Sequence, residues 1–352
     1  WEWSEDANNL ATKRSDTTVV TVPANVSDTT TMVLLGGCTE NIQAVSCQNV
    51  TDRVDIYYPE TDTYQASTPM LTPRYRFSAA ALGANIFIFG GRTNNDTMVC
   101  EVDMYNVDTE EWTALVDWVN CTSDSAAFVA GDNVIALVGG YDANYTETSG
   151  LTTLVTVGTG TGGTPTLTFT DGMPIIEARG DHECWSDRST VAYCMGGFNL
   201  DDQTGAKVST EKYDIAKGTW AAAADMTSGR GDFVLDMLND RLTVVGGEDN
   251  QTGITDVEWY DLANDCWTSS SSLFELPFPR FRFGGAVDPL QSKMYVFGGQ
   301  GPRVNNAYWP LESDVFWYQE TPADTATGAA PLLRAWTAIA AAAVAAAAAM
   351  LA

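Results

Sequence analysis

Six pairs of adjacent glycines recur along the chain at nearly equal intervals. Their first members are separated by 54, 49, 57, 50 and 52 residues. The pairs are Gly36-Gly37, Gly90-Gly91, Gly139-Gly140, Gly196-Gly197, Gly246-Gly247 and Gly298-Gly299. A steady period of this length indicates one supersecondary unit repeated along the chain. The sequence therefore predicts six copies of the same small structure rather than several unrelated domains.

Each glycine pair follows a short run of apolar, mostly β-branched or aromatic residues, such as MVLL, IFIF and LTVV. Runs of this length and composition are typical of buried strands. A polar loop follows, then an alternating strand with a central aromatic residue, then a turn. An aromatic residue opens a fourth strand in most repeats: Tyr64, Trp112, Trp220 and Trp267. Four strands per repeat predict an all-β fold.

This pattern resembles the kelch repeat, one four-stranded blade of a β-propeller. The resemblance covers residues 1–320 and implies a six-bladed kelch-type β-propeller. The sixth repeat lacks a fourth strand. The chain begins with Trp1-Glu2-Trp3, however, and Trp3 precedes Arg14 by about as many residues as Trp220 precedes Arg230. We therefore predict that an N-terminal strand closes the last blade and removes the open seam.

The composition changes after residue 320. Residues 321–331 predict a linker, and residues 332–352 predict an apolar, alanine-rich α-helix. Three interpretations of this helix remain open. It is long enough for a transmembrane anchor, it resembles the hydrophobic tail of a lipid-anchor signal, and it suits a docking helix on another subunit. Each interpretation places the propeller beside a membrane or a partner.

The net charge argues against two classes of partner. The chain has 46 acidic and 18 basic residues, which gives a formal charge of −28. Such a charge repels the phosphate backbone of nucleic acids and anionic membrane surfaces. An acidic, soluble surface is expected instead.

Cysteines and glycosylation sequons predict an extracellular or cell-surface glycoprotein of the secretory pathway. The predicted disulfides are Cys38–Cys47, Cys100–Cys121 and Cys184–Cys194, which leaves Cys266 unpaired. The Asn-x-Ser/Thr sequons are Asn25, Asn49, Asn95, Asn120, Asn144 and Asn250. Five of the six fall in loops that share one face of the predicted propeller, which would leave the opposite face for a partner.

Arginines precede most of the predicted inner strands. They are Arg14, Arg74, Arg179, Arg230 and Arg280, and the third repeat has none. Four of them, Arg74, Arg179, Arg230 and Arg280, are candidate ligand-binding residues around the central channel, where guanidinium groups would bind a carboxylate or a sugar acid. The resemblance includes bacterial sialic acid mutarotases, which act on such a ligand. Alternatively, each arginine pairs with a carboxylate of the neighbouring blade and holds the ring together.

The sequence predicts no catalytic residue, metal site or cofactor. His182 is the only histidine, so the two-histidine copper site of galactose oxidase, another kelch-like propeller, is excluded. No zinc-ligand spacing, nucleophile elbow, phosphate loop or dinucleotide fingerprint occurs. We expect His182 to be structural.

The sequence therefore favours a non-catalytic extracellular or cell-surface glycoprotein. It would bind other proteins through its propeller loops, within a larger assembly, and would be tethered to a membrane by residues 332–352. The alternative is a sugar-acid-binding lectin or mutarotase-like enzyme that uses the arginine-lined channel. Pairing of every channel arginine with a carboxylate would favour the first function.

Overall fold

The computed structural model describes residues 3–22, 29–40, 46–201, 205–250, 252–269, 275–302 and 310–319. Within these ranges the chain forms six four-stranded antiparallel sheets, which are the blades of a propeller. The prediction of an all-β, six-bladed propeller is confirmed. Two short ribbons lie in loops, where Arg92–Thr93 pairs with Thr97–Met98 and Glu248–Asp249 pairs with Thr252–Gly253.

In blades 1 to 5 the strands follow in order along the chain, from the central channel outward, whereas the outer strand of blade 6 comes from the N-terminus. Blade 1 consists of Thr18–Val22, Thr31–Leu35, Val54–Tyr58 and Thr63–Ala66. Blade 2 consists of Ser78–Leu82, Asn85–Phe89, Glu101–Asn106 and Glu111–Asp117. Blade 3 consists of Ala126–Val129, Val134–Val138, Thr152–Thr159 and Pro165–Asp171.

The other three blades repeat this arrangement. Blade 4 consists of Glu183–Ser186, Val191–Met195, Thr210–Asp214 and Thr219–Ala223. Blade 5 consists of Val234–Leu238, Arg241–Val245, Val257–Asp261 and Cys266–Ser269. Blade 6 consists of Gly284–Asp288, Lys293–Phe297, Val315–Gln319 and, as its outer strand, Ser4–Glu5.

The hydrophobic core lies in layers between neighbouring blades. The second strand of each blade is buried on both faces, which explains why its sequence is a continuous apolar run rather than an alternating one. Between blades 1 and 2, for example, Val33 and Leu35 pack with Ile86 and Ile88. Each such side chain contributes about 1.5–3 kcal/mol of burial free energy, so these layers hold adjacent blades together.

An aromatic pair repeats near the outer edge of the blades. In blades 1, 2, 4 and 5 a tyrosine of the third strand contacts the tyrosine or tryptophan of the fourth, with ring centroids 4.7–5.2 Å apart. In blade 6 the same pair is formed by Tyr318 and Trp3, at 5.6 Å. Ser4 is paired with Trp317 in this sheet. The N-terminal strand therefore closes the ring as the sequence predicts.

The C-terminal part of the predicted fold class needs correction. The described residues contain no α-helix, and their only helical segments are the 3₁₀ turns Asn94–Asp96 and Thr161–Gly163. Among them there is also no helix with the length and apolar character needed to cross a bilayer. The prediction of an alanine-rich helix is therefore wrong for the described chain, because the fold there is all strands and loops. Residues 321–331 and 332–352 themselves lie outside the described residues.

Candidate functional site

Two classes of loop share one end of the propeller. The first class follows the glycine pairs, and the second connects the outer strand of one blade to the inner strand of the next. We call this end the loop face. Backbone bridges join the two classes there, as between Tyr75 and Arg92 or between Gly180 and Phe198. The opposite face carries the turns between the first and second strands and between the third and fourth strands.

The five arginines that precede inner strands, which we call the blade-leading arginines, are buried. They are Arg14, Arg74, Arg179, Arg230 and Arg280, and each is at most 4% exposed. Every one donates hydrogen bonds from its guanidinium to the carbonyl of the first glycine in its own blade. Each also pairs with a carboxylate at or just before the third strand. These carboxylates are Asp55, Asp103, Glu211, Glu258 and Asp314.

The backbone of the same arginines connects adjacent blades. The carbonyl of Arg230, for example, accepts a hydrogen bond from the N–H of Gly197 in the preceding blade, at 2.8 Å. The carbonyl of Arg14 accepts one from Gly299, at 2.9 Å, and so links blade 6 to blade 1. A blade-leading arginine thus binds its own blade through its side chain and the previous blade through its backbone.

Blade 3 lacks both members of the buried ion pair. Thr122 stands where the other blades have arginine, and its hydroxyl donates to the carbonyl of Gly139 at 3.0 Å. Thr153, paired with Leu137, takes the position that a carboxylate occupies in blades 1, 2, 4 and 5. The arginine and the carboxylate are therefore absent together, as expected for two groups whose burial depends on each other.

This geometry argues against a ligand-binding role for the predicted arginines. Arg74, Arg179, Arg230 and Arg280 do not line the central channel, and a ligand there cannot reach their guanidinium groups without breaking the buried ion pairs. We therefore correct that assignment, since these side chains hold the ring together. The cations that do line the channel are Arg76, Arg188 and Arg282.

The channel is a cavity of about 350 Å³, lined by the inner strands of all six blades. At the loop face its mouth is bounded by the residue two positions after each blade-leading residue. We call this set the mouth ring; it consists of Asp16, Arg76, Asp124, Asp181, Asp232 and Arg282. All six have φ between 52° and 56°. Backbone hydrogen bonds of 2.7–3.0 Å run from one blade to the next through this ring, so the mouth is rigidly held.

Charges around the mouth ring are unevenly distributed. Arg76 lies between Asp16 and Asp124, with its Nε 3.2 and 3.5 Å from their carboxylate oxygens. Asp181 follows Asp124 in the ring, and it accepts a hydrogen bond from the Tyr141 hydroxyl at 2.9 Å. Burial, followed by the neighbouring carboxylates of Asp232 and Asp124, raises the pKa of Asp181 well above its ordinary value. Three successive blades therefore place carboxylates side by side.

More carboxylates lie within or beside the channel. Glu183 is exposed to the channel, yet enclosure by protein and the charge of Asp232 raise its pKa to about 8. Burial raises the pKa of Asp236 to about 6. Burial and the charge of Asp232 raise the pKa of Glu248 to about 8, although the positive charge of Arg282 acts in the opposite direction. These raised pKa values mean that Glu183 and Glu248 are largely protonated at neutral pH and contribute little negative charge to the channel.

His182 is buried beside the channel and has no hydrogen-bond partner on either ring nitrogen. It occupies the position that phenylalanine takes in three other blades: Phe77, Phe233 and Phe283. Burial, and to a lesser extent the charge of Arg179, holds the pKa of His182 well below 6.5. The folded protein therefore keeps this imidazole neutral.

Replacing His182 by phenylalanine is expected to reduce the acid sensitivity of the fold. Because the folded pKa of His182 lies below 6.5, only the unfolded chain binds a proton there as the pH falls. This group alone lowers wild-type stability by up to about 1.4 kcal/mol per pH unit below that value. Urea unfolding of both proteins at about pH 7.5 and about pH 5 should show a smaller loss in the variant. Equal losses in the two proteins would contradict this account.

Three disulfides lie on or near the loop face and in blade 4. They join Cys38 to Cys47, Cys100 to Cys121 and Cys184 to Cys194, the pairs expected from the sequence. Cys266 is exposed and unpaired. Among the sequon asparagines, Asn49, Asn95, Asn120, Asn144 and Asn250 are all exposed on the loop face. Asn25 lies outside the described residues.

Exposed apolar side chains concentrate on the loop face as well. Of ten large apolar residues exposed in the described chain, nine lie in its loops or at the adjoining strand end: Leu71, Val116, Val119, Leu151, Met173, Ile176, Leu200, Val208 and Phe278. The tenth, Leu290, lies in a turn of the opposite face. This corrects the expectation that the opposite face is the better surface for a partner, because sequons and exposed apolar groups share one face.

Five of these residues form what we call the blade 3–4 patch: Leu151, Met173, Ile176, Leu200 and Val208. Backbone and side-chain hydrogen bonds tie their loops together, as from Ile175 to Gly150 at 3.0 Å and from Leu200 to Thr148 at 2.8 Å. No sequon occurs between residues 145 and 249. The patch thus combines exposed apolar groups with a stretch of chain that carries no glycosylation signal. The repeat pattern alone does not show this combination.

Comparisons with known proteins agree with the propeller fold. The family model described as Attractin/LZTR1 beta-propeller matches residues 32–309. Kelch-like protein 23 of Pongo abelii is 25% identical over 273 residues, which cover 76% of this chain and 37% of the relative. Kelch-like protein 36 of Rattus norvegicus is 30% identical over 160 residues, which cover 44% of this chain and 25% of the relative.

A solved structure supports the same fold at lower sequence identity. The structure described as "Structure of YjhT" matches with a TM-score of 0.65 and 13% identity, and it covers 88% of this chain and 96% of that one. Identity at this level shows the fold alone. The chain spans between 25% and 37% of the lengths of the two curated relatives above, so their other regions have no counterpart in the match.

Proposed function

Because the chain belongs to the Attractin/LZTR1 β-propeller family, we propose that it is a non-catalytic protein-interaction module whose loop face binds a partner protein. The observation that carries this proposal is the concentration of exposed apolar side chains on that face. Exposed apolar clusters rimmed by polar groups are typical of protein-binding surfaces. The blade 3–4 patch is the proposed centre of contact.

The charge of the chain indicates the character of the partner. With a formal charge of −28, the propeller attracts proteins that carry a basic surface around an apolar contact. Beside the patch, Glu177 has a side chain that is 46% exposed and forms an ion pair with Lys207. Binding should therefore weaken as salt concentration rises.

We further propose that the protein is a secreted or cell-surface glycoprotein. Three disulfides and five exposed sequon asparagines support this localisation. Glycans at those asparagines would occupy blades 1, 2, 3 and 5 and leave the loops of blade 4 accessible. Attachment to a membrane through residues 332–352 stays a prediction.

The alternative of a sugar-acid lectin or mutarotase-like enzyme has less support. The blade-leading arginines on which it rests are buried in ion pairs. The channel cations Arg76 and Arg282 are themselves bound to Asp16 and Asp232. No observation in the described residues favours an anion in this channel.

The proposal is tested by changing the patch and an equally exposed control. Met173 and Ile176 are 52% and 60% exposed, and Leu290 on the opposite face is 54% exposed. We expect the double variant Met173→Asp/Ile176→Asp to lose at least about tenfold in affinity for a partner isolated from the native extracellular fraction, since two apolar contacts are replaced by charges. Leu290→Asp should bind as the wild type does. Interferometry with the purified partner measures both.

Two results would overturn the proposal. One is a partner that binds both variants as tightly as the wild type. The other is calorimetric binding of a sugar acid such as glucuronate that is abolished by Arg76→Ala, which would instead support the lectin alternative. Near-identical unfolding curves of the variants and the wild type exclude loss of fold as the cause.

A further inference from the structure

The inner hairpin of blade 4 holds a histidine and two cysteines against one another. Its strands Glu183–Ser186 and Val191–Met195 pair so that Cys184 lies opposite Cys194, and the two residues form a disulfide. His182 directly precedes the first strand. One ring nitrogen of His182 and both sulfur atoms all lie within 4.8 Å of one another. Soft sulfur and imidazole ligands in such a group are those that zinc prefers.

The imidazole of His182 is not accounted for by packing. It is 3% exposed, and neither of its nitrogens has a hydrogen-bond partner. Phe77, Phe233 and Phe283 fill the same position in other blades without burying a polar atom. A buried imidazole with two unpaired nitrogens destabilises the fold relative to a phenyl ring. Its presence here therefore suggests a role that phenylalanine cannot perform.

The surroundings suit a metal ion once the disulfide is opened. Neither ring nitrogen of His182 takes part in a hydrogen bond, so the nitrogen without a proton has a free lone pair to offer. The positive charge of nearby Arg179 is compensated by Glu211, whose Oε1 lies 2.7 Å from the guanidinium. His182 and Cys184 both border the channel, which is the side from which a small reductant or ion would approach the cluster.

We propose that His182, Cys184 and Cys194 form a redox-gated site for a thiophilic d¹⁰ cation, with Zn²⁺ as the principal ligand. A dithiol reductant transfers two electrons and two protons to the disulfide, which becomes two thiols while the reductant becomes a disulfide. Zn²⁺ then binds both sulfurs as thiolates, and the two thiol protons pass to solvent. The imidazole is the third ligand, and the fourth position opens to the channel. In an oxidising compartment the site stays closed.

The test compares the wild type with His182→Phe, each in the oxidised and the reduced state. The variant keeps every cysteine, and phenylalanine already occupies this position in neighbouring blades. Reduction also opens Cys38–Cys47, which lies near Glu40 and could bind metal itself, so the readout is the difference between the two proteins. After anaerobic reduction with a phosphine, each is titrated with Co²⁺ as a spectroscopic probe and then with Zn²⁺ in competition.

We expect reduced wild type to bind one more equivalent than reduced His182→Phe, with thiolate-to-cobalt charge-transfer absorption. Oxidised wild type should not bind this equivalent. The double variant Cys184→Ser/Cys194→Ser should lose it in both states. Equal stoichiometry in reduced wild type and reduced His182→Phe, or binding by the oxidised wild type, would overturn the proposal.

Loss of fold on reduction would still be informative. If the reduced wild type loses its near-ultraviolet circular dichroism, Zn²⁺ should restore it in the wild type and not in His182→Phe, because metal binding then supplies folding free energy. Failure of Zn²⁺ to restore the wild-type signal, or equal recovery of both proteins, counts against the site.

Discussion

Replacement of Arg230 by alanine is expected to lower the free energy of unfolding by about 3–5 kcal/mol. The guanidinium is fully buried and pairs with Glu258, whose side chain is also fully buried. It also donates to the carbonyls of Gly246 and Asp256, at 2.9 and 3.1 Å. The substitution leaves the buried carboxylate of Glu258 without its cationic partner, although Thr227 and Ser228 still donate to it. It also removes one donor from each of the two carbonyls, and the buried charge without a counter-charge is the main source of the loss. Equilibrium unfolding in guanidinium chloride, monitored by tryptophan fluorescence, measures this loss of stability.

Two controls separate the buried pair from ordinary surface charge. Lys217 and Asp214 form an ion pair of the same kind at 2.7 Å, but Lys217 is 75% exposed. Lys217→Ala should therefore change stability by no more than about 0.5 kcal/mol. The double variant Arg230→Met/Glu258→Gln should recover part of the loss, since neither charge remains to be desolvated and the amide oxygen can still accept from Thr227 and Ser228. A loss for Arg230→Ala as small as that for Lys217→Ala would show that the pair does not hold the blade.

The second large effect is expected for Gly247→Ala, at about 2–5 kcal/mol of lost stability. Gly247 has a φ of 98°, and a Cβ built on it would lie 2.6 Å from the backbone carbonyl oxygen of Gly231 and 2.9 Å from Cβ of Phe233. An alanine there meets both backbone strain and a contact that cannot move aside. Equilibrium unfolding and the melting temperature both report the change.

Gly83 provides a matched control for the backbone strain alone. Its φ is 61°, and no atom lies within 4 Å of a Cβ built on it. Gly83→Ala should therefore lose only about 1–2 kcal/mol. If the two variants are destabilised equally, close packing against the segment that leads the inner strand of the same blade is not what requires glycine at position 247.

The repeat pattern was sufficient to predict the ring. Strand length, the buried second strand and the positive φ of the doublets all follow from local sequence. Closure followed from the position of Trp3, which contacts Tyr318 as the equivalent aromatics do in other blades. These features recur in most repeats, and repetition makes a weak local signal strong.

The role of the arginines was harder to predict, because it depends on partners supplied by another strand. A signal was nevertheless present. An acidic residue stands at the start of the third strand wherever an arginine leads the blade, and in blade 3 both positions are threonine, Thr122 and Thr153. The paired change indicates mutual burial. Loops of variable length separate the two positions, so the spacing did not reveal it.

The blade 4 cluster could be obtained only in part from the sequence, which predicted the Cys184–Cys194 pair but not the position of His182 beside it. His182 and Cys184 share a strand direction, but Cys194 joins them only through the register of the hairpin. The exposed apolar residues of the loops could likewise not be predicted from the sequence, since the exposure of Met173 or Ile176 depends on how neighbouring loops pack. Side chains that act through tertiary contacts require the structure.

Pairing of Ser4 with Trp317 also bears on how the protein is made. On the ribosome the first of these residues emerges long before the second, so a nascent propeller holds five finished blades and one incomplete sheet until Val315–Gln319 has been synthesised. Contacts this distant in sequence form slowly. Until they form, the edge of the incomplete sheet has unpaired backbone groups to which a chaperone or a neighbouring nascent chain can bind. Quality control of this protein therefore concentrates on a single late event.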